Sequence, residues 1–249
     1  MSVTIRPATL ADKDAMADVH DKAMMPFLEF YSALWTKTPS EVLPVLTEKA
    51  MNNPKFVFLV AEVEGSVVGF TRYTIIPAQK PADVTNEKVE QDSTAKKEPE
   101  EEKPPHVLLI QPKEQLKEIW VRFNARDAEM DACKEKAVKG QRHYYVLHLM
   151  IHPDYQRRGI GGKLLQTVID RADTEGVPTI LTSSESAHEL YLKLGFEDLG
   201  VWTIDNEAWA KEIVEVNASV GIKENEDLAR NYAGIKEVEA CMIRSPRQG

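Results

Sequence analysis

The stretch "HPDYQRRGIGGKLL", residues 152–165, decides how this chain is interpreted. It follows a nearly continuous apolar run, "HYYVLHLMI" at 143–151, and leads into "KLLQTVIDRADTE" at 163–175, whose apolar residues recur at helical spacing. We therefore predict a strand buried on both faces, a glycine-rich turn and an amphipathic helix. The first amides of such a helix have no intrahelical acceptor, and the positive end of the helix dipole lies behind them. The turn therefore predicts a binding site for a phosphate group.

The composition of the turn supports this prediction and excludes two other phosphate loops. Glycines open the backbone to a ligand and permit unusual backbone angles, and basic side chains add charge: Gly159, Gly161 and Gly162, with Arg157, Arg158 and Lys163. A dinucleotide-binding fingerprint requires glycine at position 164, which is leucine. A Walker loop requires Ser or Thr after Lys163 and a glycine five residues before Gly162, and this chain has neither.

The positive charge of the turn is local, because the 249-residue chain carries a net charge of −9. This charge disfavours nucleic acid as a general partner, since phosphate backbones need a broad basic surface. No apolar run has the length of a membrane span, and the first residues lack the apolar core of a signal peptide. Cys133 and Cys241 lack metal-ligand spacing and are predicted to be reduced thiols. We expect a cytoplasmic protein, with the nucleus as the alternative, that uses no metal and binds neither nucleic acid nor membrane.

The remaining pattern predicts one domain, 1–249, of mixed helices and strands. Strands are predicted at 2–9, 143–151, 177–184, 201–205 and 238–244, with a hairpin over 55–76. Helices are predicted at 10–24, in pieces within 26–51, as one long insertion at 112–139, and at 163–175 and 186–194. The segment at about 78–105 is highly charged and poor in large apolar residues, so we predict a flexible loop there. Residues 206–235 are polar and show no clear pattern.

Five segments in order resemble one known family. Gln156 to Gly161 matches Q-x-x-G-x-G, which is similar to the R/Q-x-x-G-x-G/A signature of the GNAT superfamily of acetyl-CoA-dependent N-acetyltransferases. "LMIHPDY" resembles its central strand and "AHELYLKLGFEDLG" its "A…LYeklGF" helix. "VTIRPATLADKDAM" and "LVAEVEGSVVGF" resemble its opening strand and helix and its second and third strands, and the helix before the glycine strand is similar to that of fungal members. The resemblance implies an α/β (α+β) fold. Its mixed central sheet would have about six to seven strands, flanked by helices and splayed between the fourth and fifth strands.

The resemblance also implies where acetyl-CoA binds. Backbone groups of Leu149, Met150 and Ile151 would bond the pantetheine arm, and the Leu149 N–H would stabilise the oxyanion. The pyrophosphate would be held by the turn: Gln156, Arg157, Arg158, Gly159, Ile160, Gly161, Gly162 and Lys163. Ser184 and Ala187 would contact the cofactor as well. Tyr191 matches the tyrosine of the family helix, where a phenol can protonate the departing thiolate. The alternative for Tyr191 is a core aromatic.

The sequence leaves the general base unassigned. Strict alternation along the strand would put Tyr145 and Leu147 on the side of Leu149 and His148 on the opposite side, as a core histidine. His152 is interpreted as a turn residue. Other candidates are Glu118, Glu62 and the acidic residues around Glu29, and a water relay or an amine that arrives neutral would need no base at all. Cys133 lies on an apolar helical stripe, so we predict a buried residue and direct transfer in a ternary complex rather than an acetyl-enzyme.

The resemblance therefore implies an N-acetyltransferase that acts on a small primary amine, as a monomer or homodimer. Two alternatives stay open. One is a protein or peptide acetyltransferase, and the other is a non-catalytic module that binds CoA.

Overall fold

A seven-stranded mixed sheet, in the order β1-β2-β3-β4-β5-β7-β6, is the centre of this computed structural model, which describes residues 2–79 and 110–247. The strands are β1 Thr4–Pro7, β2 Phe56–Val63, β3 Ser66–Ile76, β4 His143–Ile151, β5 Thr179–Ser184, β6 Glu197–Asp205 and β7 Lys236–Arg244. The helices are α1 Lys13–Ala23, α2 Met25–Leu34, α3 Pro39–Met51, α4 Lys117–Ala125, α5 Asp127–Val138, α6 Ile160–Glu175, α7 Glu185–Lys193, α8 Asn206–Ser219 and α9 Leu228–Asn231. The mixed α/β class and the strand number are as predicted.

The largest core cluster lies between the sheet and α6. This helix directs one apolar stripe at the sheet, and each residue of the stripe is at most 1% exposed: Leu164, Leu165, Val168, Ile169 and Ala172. The opposite face of the sheet is covered by α1 over β3 and by α5 over β6 and β7. Burial of both faces explains why β4 shows an apolar run rather than a simple alternation.

The predicted splay between the fourth and fifth strands is present. β4 and β5 pair in parallel only from Tyr144–Thr179 to Val146–Leu181. β4 then continues to Ile151 and β5 to Ser184 without further pairing between them. The two strands therefore leave a gap at their carboxyl ends, with backbone groups of β4 along one side.

An irregularity in β4 changes which residues share a face. Arg72 pairs with His148 and Tyr73 with Val146, so Leu147 is an extra residue in β4. The predicted grouping of Tyr145 with Leu149 was wrong, because such a bulge interrupts the alternation on which it depended. Tyr145 packs on the α5 side of the sheet, whereas Leu149 belongs to the cluster under α6.

Two other predictions about the helices were wrong. The segment predicted as a single helix at 112–139 forms two helices, α4 and α5, because their apolar residues pack on different surfaces. Ile119 and Phe123 of α4 pack toward α2 and α8, whereas Met130 and Val138 of α5 pack toward β5 and β7. The unpatterned segment at 206–235 contains α8 and α9. Its apolar residues join a buried cluster with aromatic side chains of α2 and α4: Ala210, Ile213, Leu228 and Tyr232.

The predicted charged loop at about 78–105 lies almost entirely outside the described residues. Within residues 2–79 and 110–247, no helix has both the length and the apolar character needed to cross a bilayer.

Candidate active site

The glycine turn forms a bend that exposes the start of α6 at the carboxyl end of β4. A short 3-10 turn, Pro153–Tyr155, follows the strand, and the Gln156 side-chain amide donates a hydrogen bond to the Ile151 carbonyl at 3.1 Å. Gly159 is the N-cap of α6 and has a left-handed φ of 77°. Arg157 also has a positive φ, of 60°, whereas Gly161 and Gly162 do not. The predicted need for unusual backbone angles therefore holds for one of the three glycines.

Gly161 has a different role from Gly159. A Cβ at Gly161 would lie 3.6 Å from the Leu190 side chain and 3.7 Å from those of Ile151 and Leu149, which is ordinary contact. An alanine would therefore fit in the protein as it stands. Gly161 therefore lies where α6 packs beside the end of β4 and α7.

The turn presents charge at its surface and keeps one apolar side chain in the core. Arg157 and Lys163 are exposed, and the Arg158 guanidinium lies 5.2 Å from the centre of the Tyr155 ring. The Ile160 side chain is 1% exposed and belongs to the cluster under α6. The backbone amide of Ile160 is therefore the part of this residue that a ligand at the turn can reach.

Backbone direction along β4 decides which groups lie in the gap. The His152 N–H donates to the Val68 carbonyl of β3 at 2.9 Å. Because backbone groups alternate along an antiparallel strand, those of Met150 are directed toward β3 and those of Leu149 and Ile151 toward the gap. The Leu149 N–H therefore has the direction that an oxyanion donor requires. The geometry does not support the predicted contact between the Met150 backbone and pantetheine.

Tyr191 lies on α7 with its ring buried against Phe196, at 5.9 Å between ring centres. Burial raises the pKa of the Tyr191 hydroxyl to about 12. The hydroxyl makes no hydrogen bond with the described residues, and its oxygen is not fully buried. The burial of the ring fits a core aromatic, and the available proton fits a donor to a ligand in the gap.

The two remaining predicted cofactor contacts lie near the free end of β5. Ser184 is the N-cap of α7, and its Oγ is 3.1 Å from that of Ser186. Ala187 is half-buried on the first turns of α7, against the cluster under α6. Both residues therefore border the gap from the side opposite β4.

His148, Glu62 and Glu29, three candidates for the general base, are in unsuitable surroundings. The ring of His148 packs against that of His20, with 4.9 Å between ring centres. Burial, with the charge of Arg72 as a second cause, holds the pKa of His148 well below its ordinary value. A buried imidazole that stays neutral fits the predicted core histidine. Glu62 is hydrogen-bonded to Arg6 at 2.9 Å, and Glu29 accepts a hydrogen bond from Asn231 at 2.7 Å, so both carboxylates are engaged elsewhere.

The sequence interpretation missed one carboxylate that the structure brings to this region, Glu239 of β7. It pairs in register with Ser184 at the end of β5. Burial, followed by the nearby charge of Glu237, raises the pKa of Glu239 above its ordinary value. The alternation of "VEACMIR" indicates a half-exposed strand, and the sequence pattern did not show that α5 packs over this strand.

The two cysteines are free thiols, the half-buried Cys133 on α5 and the buried Cys241 on β7. Burial raises the pKa of Cys241 to about 12, so this thiol is not a nucleophile at neutral pH. No group of three or more His, Cys, Asp and Glu side chains within the described residues is arranged to hold a metal ion.

Comparison with known proteins gives one family match, and it covers the bend. Residues 117–198 match the acetyltransferase (GNAT) domain. The chain is 39% identical over 57 residues to the [ribosomal protein bS18]-alanine N-acetyltransferase of Salmonella typhimurium (strain LT2), which is 21% of this chain and 38% of that protein. The Escherichia coli (strain K12) protein of the same name is 37% identical over 57 residues, with the same coverage. The match spans less than two fifths of the length of these curated relatives.

The fold is also found in a solved structure. The crystal structure described as histone acetyltransferase HPA2 and related acetyltransferase from Corynebacterium glutamicum ATCC 13032 superposes with a TM-score of 0.52. The two sequences are 18% identical, and the alignment covers 100% of this chain and 99% of the other. At this identity the similarity concerns the fold alone. Residues 117–198 are therefore similar to the acetyltransferase (GNAT) domain, and the chain shares its fold with this solved structure.

Proposed function

We propose that this protein is an acetyl-CoA-dependent N-acetyltransferase that transfers the acetyl group directly to a primary amine in a ternary complex. The observation that carries the proposal is the gap between β4 and β5, which ends at the bare amides of the glycine bend. An extended chain with amides at one end and a diphosphate at the other fits both parts of this groove.

The residues that surround the gap fit acetyl-CoA. The amides from Gly159 to Lys163 and the exposed basic side chains of the bend would hold the diphosphate. Backbone groups of Leu149 and Ile151 would pair with the pantetheine amides along β4, with Ser184 and Ala187 on the far side. Acetyl-CoA supplies an activated acetyl thioester, which brings no need for a metal ion.

Two groups of the protein would then assist the transfer. The Leu149 N–H would donate a hydrogen bond to the thioester oxygen as negative charge develops there. The Tyr191 hydroxyl would give a proton to the departing thiolate, and its raised pKa keeps that proton in place until the thiolate forms. The Leu149 amide and the Tyr191 hydroxyl would therefore serve different steps, so removal of one leaves the other intact.

We propose a small primary amine as the acceptor. A protein or peptide N-terminus is the second candidate, because the relatives matched at 39% and 37% identity are named as alanine N-acetyltransferases of a ribosomal protein. We further propose a cytoplasmic enzyme, monomeric or homodimeric, since free cysteines favour a reducing compartment.

The test is release of free thiol from acetyl-CoA across a panel of amines: free amino acids, spermidine and a peptide with N-terminal alanine. Turnover of a small amine supports the first acceptor, and turnover of the peptide alone supports the second. CoA binding without turnover of any amine would contradict the enzymatic proposal and support a non-catalytic module.

A further inference from the structure

Glu239 lies beside the free end of β5, across the gap from the end of β4. Val146 of β4 and Leu181 of β5 form the last pair before the gap, and Leu149 and Ser184 lie beyond that pair on their strands. Ser184 in turn pairs with Glu239 of β7. Because neighbouring strands are about 4.8 Å apart, the backbone of Glu239 is one strand beyond the edge of the gap.

The side chain of Glu239 is on the face of the sheet opposite to the bend. Cys241, two residues further along β7, packs with Met130 of α5, and alternation puts Glu239 on that same face. The cluster under α6, which contains Tyr191 and Leu149, lies on the other face. Tyr191 and Glu239 therefore lie on opposite faces of the sheet beside the gap.

Glu239 is surrounded by charged and titratable groups from several elements. They are Glu237 on its own strand, Arg126 and Asp127 at the junction of α4 and α5, Lys134 of α5, and Tyr31 of α2. Burial raises the pKa of Tyr31, and the charges of Glu237 and Glu239 add to the rise. Lys134 is engaged by Asp131 and by the Tyr145 hydroxyl, at 2.8 and 3.1 Å. Glu239 makes no hydrogen bond or ion pair with the described residues. The carboxylate oxygens of Glu239 are not fully buried, so their lone pairs are available to solvent or to a ligand.

We infer that Glu239 is the general base that removes a proton from the acceptor amine. The inference rests on the proposed acetyltransferase function and supplies the base that neither the turn nor the apolar strand provides. Glu239 lies beside the free end of β5, on the face opposite to Tyr191, and its carboxylate makes no hydrogen bond or ion pair with the described residues.

The proton balance of the transfer assigns Glu239 one step. An aliphatic ammonium has a pKa of about 10, so near neutral pH it must lose a proton before its nitrogen can attack. Glu239 takes this proton and passes it to solvent. The nitrogen lone pair then forms the C–N bond while the C–S bond breaks, and the second proton lost from nitrogen balances the one that the thiolate gains through Tyr191. The net products are the amide, CoA with a free thiol and one proton.

The pH dependence has a definite sign. Glu239 must be deprotonated to act, so kcat/KM falls as the pH is lowered through the pKa of Glu239. Burial and Glu237 raise this pKa, and Arg126 and Lys134 oppose the rise. We therefore expect an acidic inflection in kcat/KM at a pH above the value of about 4.3 for a free glutamate.

The decisive variant is Glu239→Gln, and the matched control is Glu237→Gln. Glu237 is two residues away on the same strand and face, and its carboxylate accepts a hydrogen bond from Asn206 at 3.4 Å. We expect kcat/KM with the best amine of the panel to fall by about 100-fold or more in Glu239→Gln, with loss of the acidic inflection. Glu237→Gln should keep the inflection and lose less than about threefold. Kd for CoA should be unchanged in both variants.

A second measurement needs no turnover. In protein labelled with 13C at the glutamate carboxyl, one resonance should be absent in Glu239→Gln and should titrate above about 4.3 in the wild type. If Glu239→Gln fails to fold, Glu239→Asp provides the kinetic test, with a lower rate and a displaced inflection expected.

The two possible failures are distinguishable. A wild-type protein that releases no thiol with any amine contradicts the proposed function. An active wild type whose Glu239→Gln or Glu239→Asp variant keeps the same rate and the same pH profile contradicts the assignment of Glu239 alone. A Glu239 carboxyl that titrates at or below the value of a free glutamate contradicts it too.

Discussion

Substitution of Gly161 by alanine separates the stability of the bend from its ability to bind CoA. The new methyl would meet Leu190, Ile151 and Leu149 at 3.6–3.7 Å, which is attractive contact rather than a clash. Replacing a helical glycine by alanine stabilises a protein by about 0.5 kcal/mol or somewhat more. In a chain of this size that corresponds to a rise in Tm of about 1–2 °C.

The same methyl should weaken CoA binding. It would lie between α6, the end of β4 and α7, beside the amides proposed to hold the diphosphate. We expect Kd for CoA to rise by about tenfold, which is about 1.4 kcal/mol. Isothermal titration gives Kd, and thermal unfolding without ligand gives Tm. A Gly161→Ala protein that is as stable as the wild type and binds CoA with the same Kd would refute the proposed position of the ligand.

A matched pair of glycines controls for general effects on α6. Gly159 and Gly176 cap the two ends of this helix, with left-handed φ of 77° and 68°, and a Cβ at either position would meet nothing within 4 Å. Alanine costs about 1–2 kcal/mol in this conformation, so both variants should lose similar stability. Only Gly159→Ala should weaken CoA binding, because only Gly159 lies in the bend. Equal loss of affinity in both variants would attribute the effect to the helix rather than to the site.

Three further outcomes are expected. Tyr191→Phe should leave Kd for CoA and Tm unchanged, because the hydroxyl has no hydrogen-bond partner in the described residues. It should lower kcat by about 100-fold, since the thiolate loses its proton donor. A loss in kcat of less than about threefold would assign Tyr191 to the core. Arg244→Ala should lower the free energy of unfolding by about 3 kcal/mol, measured by urea denaturation, because it removes the buried partner of Asp173, held at 2.6 and 2.9 Å. The hydrogen bond from Arg244 lowers the pKa of Asp173 in the folded protein. The stability that the pair contributes is therefore present above the unfolded pKa of about 3.9 and is lost as the pH falls through the folded pKa. If Arg244→Ala loses stability as steeply in acid as the wild type, the assignment is contradicted. Cys241 should resist alkylation at neutral pH in the folded protein, as monitored by mass spectrometry, because burial raises the pKa of its thiol to about 12, and rapid modification would contradict that burial.

Local chemistry in the sequence was sufficient for the elements that carry CoA in our proposal. Glycines after an apolar strand, followed by an amphipathic stripe, predict the strand, bend and helix of β4 and α6 within a few residues of their observed bounds. These signals are short-range, since capping, glycine conformation and helical periodicity depend on neighbours within one or two turns. The family resemblance added the splay of β4 from β5, which no local pattern contains.

Tertiary structure alone decided which side chains share a face and which carboxylate is free. The extra residue at Leu147 reversed the side of Tyr145, because a bulge is a property of the paired strands rather than of either sequence. Glu239 resembles an exposed residue of a half-buried strand until Arg126, Asp127 and Lys134 are brought over it from α4 and α5. The surroundings of a carboxylate depend on residues far away in the chain, and only the folded arrangement of β7 beside β5 and beneath α5 decides them.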